Sequence, residues 1–233
     1  MRIAIIGDGK MGQAVAAAAE ARGHVVTAML GIAGNEMGRG VSAERLGHPD
    51  VAVEFTEPAS AADNVLACLR AAVPVVVGTT GWYQRLEEVS GEARRLNGAL
   101  FWSPNFSIGV AVLGAAVTAA LRAVRGFGGF DVHLVETHHA AKKDRPSGTA
   151  AALAGAGEEA LGRGIPVSSL RVGHVPGTHE FVIDAAFEQV RLVHEARDRR
   201  VFADGALTAA AWLPGRKGVY TMKDLLADME TAR

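Results

Sequence analysis

Two adjacent histidines and two adjacent lysines fall within six residues in the run Glu136-Thr137-His138-His139-Ala140-Ala141-Lys142-Lys143. Asp144-Arg145-Pro146-Ser147-Gly148-Thr149-Ala150 follows at once and opens an alanine-rich stretch, residues 150–161, that predicts a helix. Ser and Thr are ordinary residues at a helix start, and Ser147 or Thr149 can cap this one. The first turn of a helix leaves backbone N–H groups unpaired and bears partial positive charge, so it receives carboxylates and phosphates. Cations and proton donors just ahead of that turn describe a site for a small, multiply anionic molecule that is held or protonated. A purely solvated loop seldom gathers so many titratable groups.

A second constellation lies at the N-terminus. Residues 3–6 form a short apolar run that breaks at Gly7-Asp8-Gly9-Lys10-Met11-Gly12, and a helical pattern continues to residue 22. This is G-x-G-x-x-G after a strand and at the opening of a helix, the context in which it reads as a dinucleotide fingerprint. Gly7 makes the tight turn, Gly9 admits a pyrophosphate to the backbone, and Gly12 lets helix and strand pack closely. The fingerprint also expects an acid at the end of the next strand to grip the adenosine ribose. Here that strand, residues 24–30, runs into Gly31 and Ile32, and the next acid is Glu36 in a Gly-rich loop. Without that acid nothing there repels a 2′-phosphate, and Lys10 stands in the loop where it could meet one. Both NADH and NADPH are therefore expected to serve, with NADPH at most modestly favoured.

The elements that must position these groups follow from periodicity. Strands at residues 51–55, 73–77 and 99–102 alternate with helices at residues 59–71 and 83–96, which predicts a parallel sheet covered on both faces. Ligands of such sheets bind beyond the carboxyl ends of the strands. Phe55-Thr56, Gly78-Thr79-Thr80 and Ser103-Pro104-Asn105-Phe106 all fall at such ends. After a long apolar helix at residues 108–124, residues 130–136 and 181–193 turn to β alternation. The expected fold is α/β: an N-terminal Rossmann sheet plus an α+β domain with an open mixed sheet, whose bare face suits subunit contact. Boundaries are expected at residues 1–107 for the first domain, rejoined by a tail at residues 214–233, with residues 108–213 as the second. A helix is expected around residues 209–213 and a short one at residues 220–229. Arg197, Arg199 and Arg200 read as a solvated turn.

Bulk properties narrow the function classes. A net charge of −1 gives no electrostatic case for nucleic acid or an anionic membrane. No apolar run approaches the length of a membrane span, and the N-terminal one is too short for a signal peptide. The one cysteine, Cys68, excludes an internal disulfide and fits a reducing compartment, so a cytoplasmic protein is expected. No metal site is expected.

With these residues laid out, the chain closely resembles the 4-hydroxy-tetrahydrodipicolinate (dihydrodipicolinate) reductase family over nearly its full length. The family pattern E-x-H-H-x-x-K-x-D-x-P-S-G-T-A matches Glu136 to Ala150 without a gap. F-T-x-P at Phe55, G-T-T-G at Gly78, P-N-F-S-x-G-V at Pro104 and the ending Gly218-Val219-Tyr220-Thr221-Met222-Lys223-Asp224-Leu225 support it. The resemblance implies hydride transfer from NADPH or NADH to a cyclic imine dicarboxylate in diaminopimelate and lysine biosynthesis, by a homotetramer joined through its sheets. It makes His138 the active-site histidine and Lys142 the proton donor. His139, Lys142, Ser147, Gly148 and Thr149 would contact the substrate carboxylates. Gly7, Gly9, Lys10, Met11, Gly12, Phe55 and Thr56 would bind cofactor, with Gly78, Thr79, Thr80, Ser103, Pro104, Asn105 and Phe106 nearer the nicotinamide. The glycine loop is one residue shorter than the family's common form, which bears on cofactor choice and not on the reaction. The alternatives are an aspartate or homoserine dehydrogenase type of Rossmann enzyme, which would lack the His-His-x-x-Lys run, and a non-catalytic nucleotide sensor, for whose partner-binding module the chain leaves no room.

Overall fold

Ile3, Ala4, Ile5 and Ile6 are all shut off from solvent, which a strand achieves only when both faces are covered. They lie in β1 (Arg2–Ile6), which pairs in parallel with β2 (Val25–Leu30) on one side and β3 (Val51–Glu54) on the other. With β4 (Val75–Val77), β5 (Ala99–Trp102) and β10 (Gly218–Tyr220) they make a six-stranded parallel sheet ordered β10-β5-β4-β3-β1-β2. The order reverses direction at β1, so the loop after β1 lies at the topological switch point, where open α/β sheets bind ligands. Helices α1 (Lys10–Ala21), α2 (Pro58–Arg70) and α3 (Leu86–Arg95) connect the strands. Ala61, Val65, Cys68 and Leu69 of α2 pack with Val75, Trp82 and Leu100 in one core. Burial holds the Cys68 thiol far above its ordinary pKa, as befits an inert core residue.

The computed structural model describes residues 1–231 and divides into two compact units. The first takes Met1–Phe106 and the chain from Phe202 onward; the second is Ser107–Val201. The second contains α4 (Ile108–Val124), β6 (Asp131–His138), α5 (Gly148–Leu161), β7 (Val167–Arg171), β8 (Thr178–Ala185) and β9 (Glu188–Glu195). Its four strands are ordered β7-β6-β8-β9, with β6 parallel to β7 and antiparallel pairing elsewhere, a mixed sheet as expected. Val132 and Leu134 of β6 and Phe181 and Ile183 of β8 join Val117, Leu121, Leu153 and Leu161 of α4 and α5 in a second core. Leu170, Val190 and Val193 are exposed on its strands.

Two elements differ from the sequence expectation. The stretch at residues 181–193 is the pair of strands expected, β8 and β9, turning at Ala186 and Phe187, whereas β7 was not foreseen because its five residues carry too little alternation. Helix α6 (Arg200–Trp212) takes in the expected residues 209–212 and ends just before Pro214, but from Phe202 it clusters with the first unit rather than the second. The reason is local packing. Gly205 abuts the Phe106 carbonyl, Asp204 pairs with Arg22, and Trp212 meets the Phe101 ring edge-on at 5.9 Å. The tail then adds β10 to the edge of the first sheet beside β5, and α7 (Met222–Thr231) ends the described chain.

A side chain at position 205 has no room against the Phe106 backbone. Gly205→Ala is expected to cost roughly 1–3 kcal/mol, the range for overpacking a filled core. Urea unfolding checks this; an unchanged midpoint would show that α6 does not pack there.

Candidate active site

The second unit builds its site from one strand face. Side chains on alternate residues of a strand share a face, and Val132, Leu134, Glu136 and His138 do so on β6. The first two are core. The last two continue the same buried face into polar chemistry, opposite His179 of β8 and beside Ser169 and Arg171 of β7. Glu136 is fully buried. Its Oε1 accepts from the Ser147 backbone N–H at 3.0 Å, the Ser169 hydroxyl at 2.7 Å and the Arg171 guanidinium at 2.8 Å. Its Oε2 faces His138 Nδ1 at 3.1 Å. Burial alone would raise the pKa of this carboxyl, but the bonds from Ser147, Ser169 and Arg171 outweigh it and bring the value to about 2.

Ser147 caps α5: its hydroxyl accepts from the Ala150 N–H at 3.1 Å while its own N–H is spent on Glu136. Its side chain is therefore a positioning group for the first turn of α5, which Gly148 and Thr149 form. Asp144 shows what that turn accepts. Its carboxylate meets Lys142 Nζ at 2.9 Å, and hydrogen bonds from Lys142 and the Gly148 N–H hold its pKa below the usual carboxylate value. A carboxylate of the protein itself thus lies between the motif's lysine and the helix start.

His138 is buried beneath Gly177, and burial lowers its pKa despite the raising influence of Glu136; Lys142 and Arg171 lower it further. Its Nδ1 lies beside Glu136 Oε2, but neither atom makes a hydrogen bond among the described residues. His179 stacks edge-on to it, ring centroids 5.3 Å apart, with both nitrogens buried and no hydrogen-bond partner among the described residues. Burial, aided by His138, pushes His179 down to about 4. Glu136, His138 and His179 place donor atoms within 4.8 Å of one another, the one such metal-type cluster among the described residues. Arg171 already balances the Glu136 charge, so the group serves as a polar anchor.

His139 points elsewhere, into an open cleft of about 570 Å³ that it shares with Arg197 and Arg199. Arg199 donates to His139 Nε2 at 2.8 Å, and since a guanidinium cannot accept, His139 carries its proton on Nδ1. These arginines, read from sequence as a solvated turn, line the cleft beside the motif. Charge spacing alone carried no signal of it, because the turn after β9 reaches His139 only through the fold.

In the first unit, the glycine loop and the end of β2 enclose a cavity of about 400 Å³ that Phe55 and Thr56 also line. Gly7 has φ +112°, and a Cβ there would overlap the Phe55 carbonyl. A Cβ at Gly12 would overlap the Gly7 carbonyl, while one at Gly9 would meet nothing of the protein. The open space beside Gly9 and the closed space at the other two are what a pyrophosphate cradle requires. Lys10, Met11 and Gly12 form the first turn of α1 and are not among the cavity's lining residues. Gly78-Thr79-Thr80 and Ser103-Pro104-Asn105-Phe106 follow β4 and β5 at the same end of the sheet. Phe55 and Phe106 meet edge-on at 6.0 Å.

A parallel sheet with a glycine cradle at its switch point, joined to a unit that seats a carboxylate at a helix start, defines a two-unit Rossmann oxidoreductase. Residues 1–106 match the family model "Dihydrodipicolinate reductase, N-terminus" and residues 109–226 match "Dihydrodipicolinate reductase, C-terminus". A 4-hydroxy-tetrahydrodipicolinate reductase of Christiangramia forsetii is 32% identical over 98% of this chain and 99% of its own. One of Anaeromyxobacter dehalogenans is 37% identical over 79% and 75%. The structure of a dipicolinate-bound dihydrodipicolinate reductase from Paenisporosarcina sp. TG-14 shares the fold at a TM-score of 0.80 and 23% identity, covering 95% of this chain and 97% of that one. The chain belongs to the dihydrodipicolinate reductase family, whose reaction is an NAD(P)H-dependent reduction in lysine and diaminopimelate biosynthesis.

The buried groups give a two-stage acid response. Folded His179 resists protonation, so the unfolded chain binds the extra proton, and stability falls as pH drops from 6.5 to about 4. Glu136 stays ionised when folded, so a further loss runs from 4.5 down to about 2. Urea titrations across this range should show both stages, and His179→Gln should flatten the upper one alone. An upper stage unchanged in that variant would contradict the assignment.

Proposed function

We propose that the protein reduces 4-hydroxy-tetrahydrodipicolinate to tetrahydrodipicolinate, with loss of water, using NADH or NADPH. The observation that carries this reading is the Asp144 carboxylate between Lys142 and the start of α5. A dicarboxylate substrate offers the same group to the same partners, and Gly148, Thr149 and Lys142 would take it, with Ser147 holding the turn in shape. His139 and Arg199 offer cationic and polar contacts for a second carboxylate in the adjoining cleft.

The nicotinamide, when bound, supplies the hydride; Gly7, Gly9, Gly12, Phe55 and Thr56 would hold the dinucleotide, with Gly78 to Thr80 and Ser103 to Phe106 toward its reactive end. Loss of water takes the hydroxyl from its ring carbon and a proton from the neighbouring carbon, leaving a C=C conjugated with the imine, and hydride adds at the carbon that bore the hydroxyl. The electron pair moves through the conjugated carbons to the ring nitrogen, giving an enamine. Lys142 then gives a proton to the enamine carbon, which restores the imine of the product. Lys142 suits this role better than His138, which burial keeps neutral and which Glu136 and Gly177 enclose. A positioned acid of this kind contributes about 10²–10⁴ in rate.

An aspartate-dehydrogenase reading has support from fold likeness alone: the Thermotoga maritima aspartate dehydrogenase matches at a TM-score of 0.52 and 13% identity. The Glu136-to-Ala150 run favours the reductase over it and over a nucleotide sensor. We place the protein in the cytoplasm, whose reducing conditions suit the single buried thiol; no helix among the described residues is long and apolar enough to cross a membrane. A homotetramer joined through the open sheet would cover Leu170 and Val193, which share its open face.

Lys142→Ala is expected to lower kcat about 10²–10⁴-fold while leaving nucleotide affinity unchanged. Steady-state kinetics with synthase-generated substrate and nucleotide titration check it together; near wild-type turnover would refute the assignment. Leu170→Asp with Val193→Asp should release protomers or dimers in light scattering, and an undisturbed assembly would refute the sheet interface.

A further inference from the structure

We propose that Asp8, in the glycine loop, is the adenosine-ribose acid of this chain, and that it makes the dinucleotide site select NADH over NADPH. This rests on the dinucleotide-binding reading of the first unit and reverses the modest NADPH preference expected from sequence.

A Rossmann unit places its ribose acid at the end of the second strand, because that point faces the adenosine once the pyrophosphate sits on the glycine loop. Here β2 ends at Leu30 and the position is Gly31. It is not vacant ground. A Cβ built on Gly31 would lie 2.7 Å from Cγ of Asp8 and overlap its carboxylate. The Asp8 side chain therefore reaches across from the loop and puts its carboxylate where a side chain from β2 would begin. Only glycine at position 31 leaves that space. The loop beneath Asp8 is anchored by Gln13, whose amide donates to the Asp8 carbonyl at 3.4 Å.

The surrounding charge points the same way. The cavity that Asp8 and Gly31 share is lined by two further carboxylates, Glu36 and Glu57, and by no lysine or arginine. Lys10 is outside that lining, and Arg45 is directed to the Gly34 carbonyl at 3.5 Å. A 2′-phosphate entering here meets three acids without a cationic partner, whereas ribose hydroxyls find an acceptor in Asp8. The sequence did not show this because the acid and the glycine that admits it are 23 positions apart and meet only through β1–β2 pairing.

Isothermal titration of the intact protein with NADH and with NADPH tests the proposal without relying on turnover. Wild type should bind NADH at least about tenfold more tightly, the scale of hydrogen bonds to a charged acceptor. Asp8→Ala should weaken NADH by about tenfold, leave NADPH unchanged or tighter, and bring the two within about threefold. Asp8→Asn, which keeps the shape of the loop and removes the charge, should tighten NADPH and weaken NADH less than Asp8→Ala does. Equal or tighter NADPH binding by wild type would overturn the proposal, as would Asp8→Ala weakening both nucleotides alike. If wild type binds neither, the dinucleotide reading itself falls, and this inference with it.

Discussion

A carboxylate buried to zero exposure is costly unless its charge and lone pairs are answered, and Glu136 is answered by three hydrogen bonds to one of its oxygens. Arg171 and Ser169 come from β7 and the Ser147 N–H from the start of α5, while His138 lies beside the other oxygen at 3.1 Å. Each partner belongs to a different part of the site. The ion pair with Arg171, itself 3% exposed, welds β7 to β6 at their polar ends. The bond to Ser147 fixes where α5 begins. Losing one partner of a buried pair costs about 3–5 kcal/mol, because the other charge is left unanswered. The carboxylate is thus less a stabiliser than a coordinate origin, from which the helix start and the histidine take their positions.

That arrangement explains why Lys142 and Asp144 can remain adaptable. They occupy the loop between two fixed points, His138 at the end of β6 and Ser147 at the cap of α5. Lys142 is partly exposed and paired with Asp144, which a substrate carboxylate can replace with like charge and like geometry. Rigid anchors on either side with an exchangeable ion pair between them suit a site that must bind, protonate and release a dianion.

Much of this was legible in the chain as written. The glycine loop, the alternation of strands and helices, and the Glu136-to-Ala150 run are contiguous, so local spacing displays them. What sequence reading missed is joined by pairing across the fold. Arg171 and Ser169 meet Glu136 through the β6–β7 register, and His179 lies opposite Glu136 on β8. Arg199 finds His139 sixty residues away. Ser147 also caps α5, its hydroxyl accepting from Ala150 and its N–H donating to Glu136, a role that the motif alone did not separate from a carboxylate contact. Residues 202–213 were expected in the second domain because they follow its strands, yet small residues along α6 let it pack against Phe106 and Phe101 in the first unit. Close approach at glycine and alanine leaves little hydrophobic signature to read.

The most direct test of the organising role given to Glu136 is the affinity of Glu136→Gln for pyridine-2,6-dicarboxylate, measured by calorimetry beside its affinity for the dinucleotide. Gln keeps the volume and can still accept from Ser147, but it no longer balances the charge of Arg171. The account predicts that dicarboxylate binding falls by at least about tenfold while nucleotide binding to the other unit is unchanged. A variant that binds the dicarboxylate as tightly as wild type would contradict it, showing that the helix start and Lys142 form the anion site without the buried carboxylate.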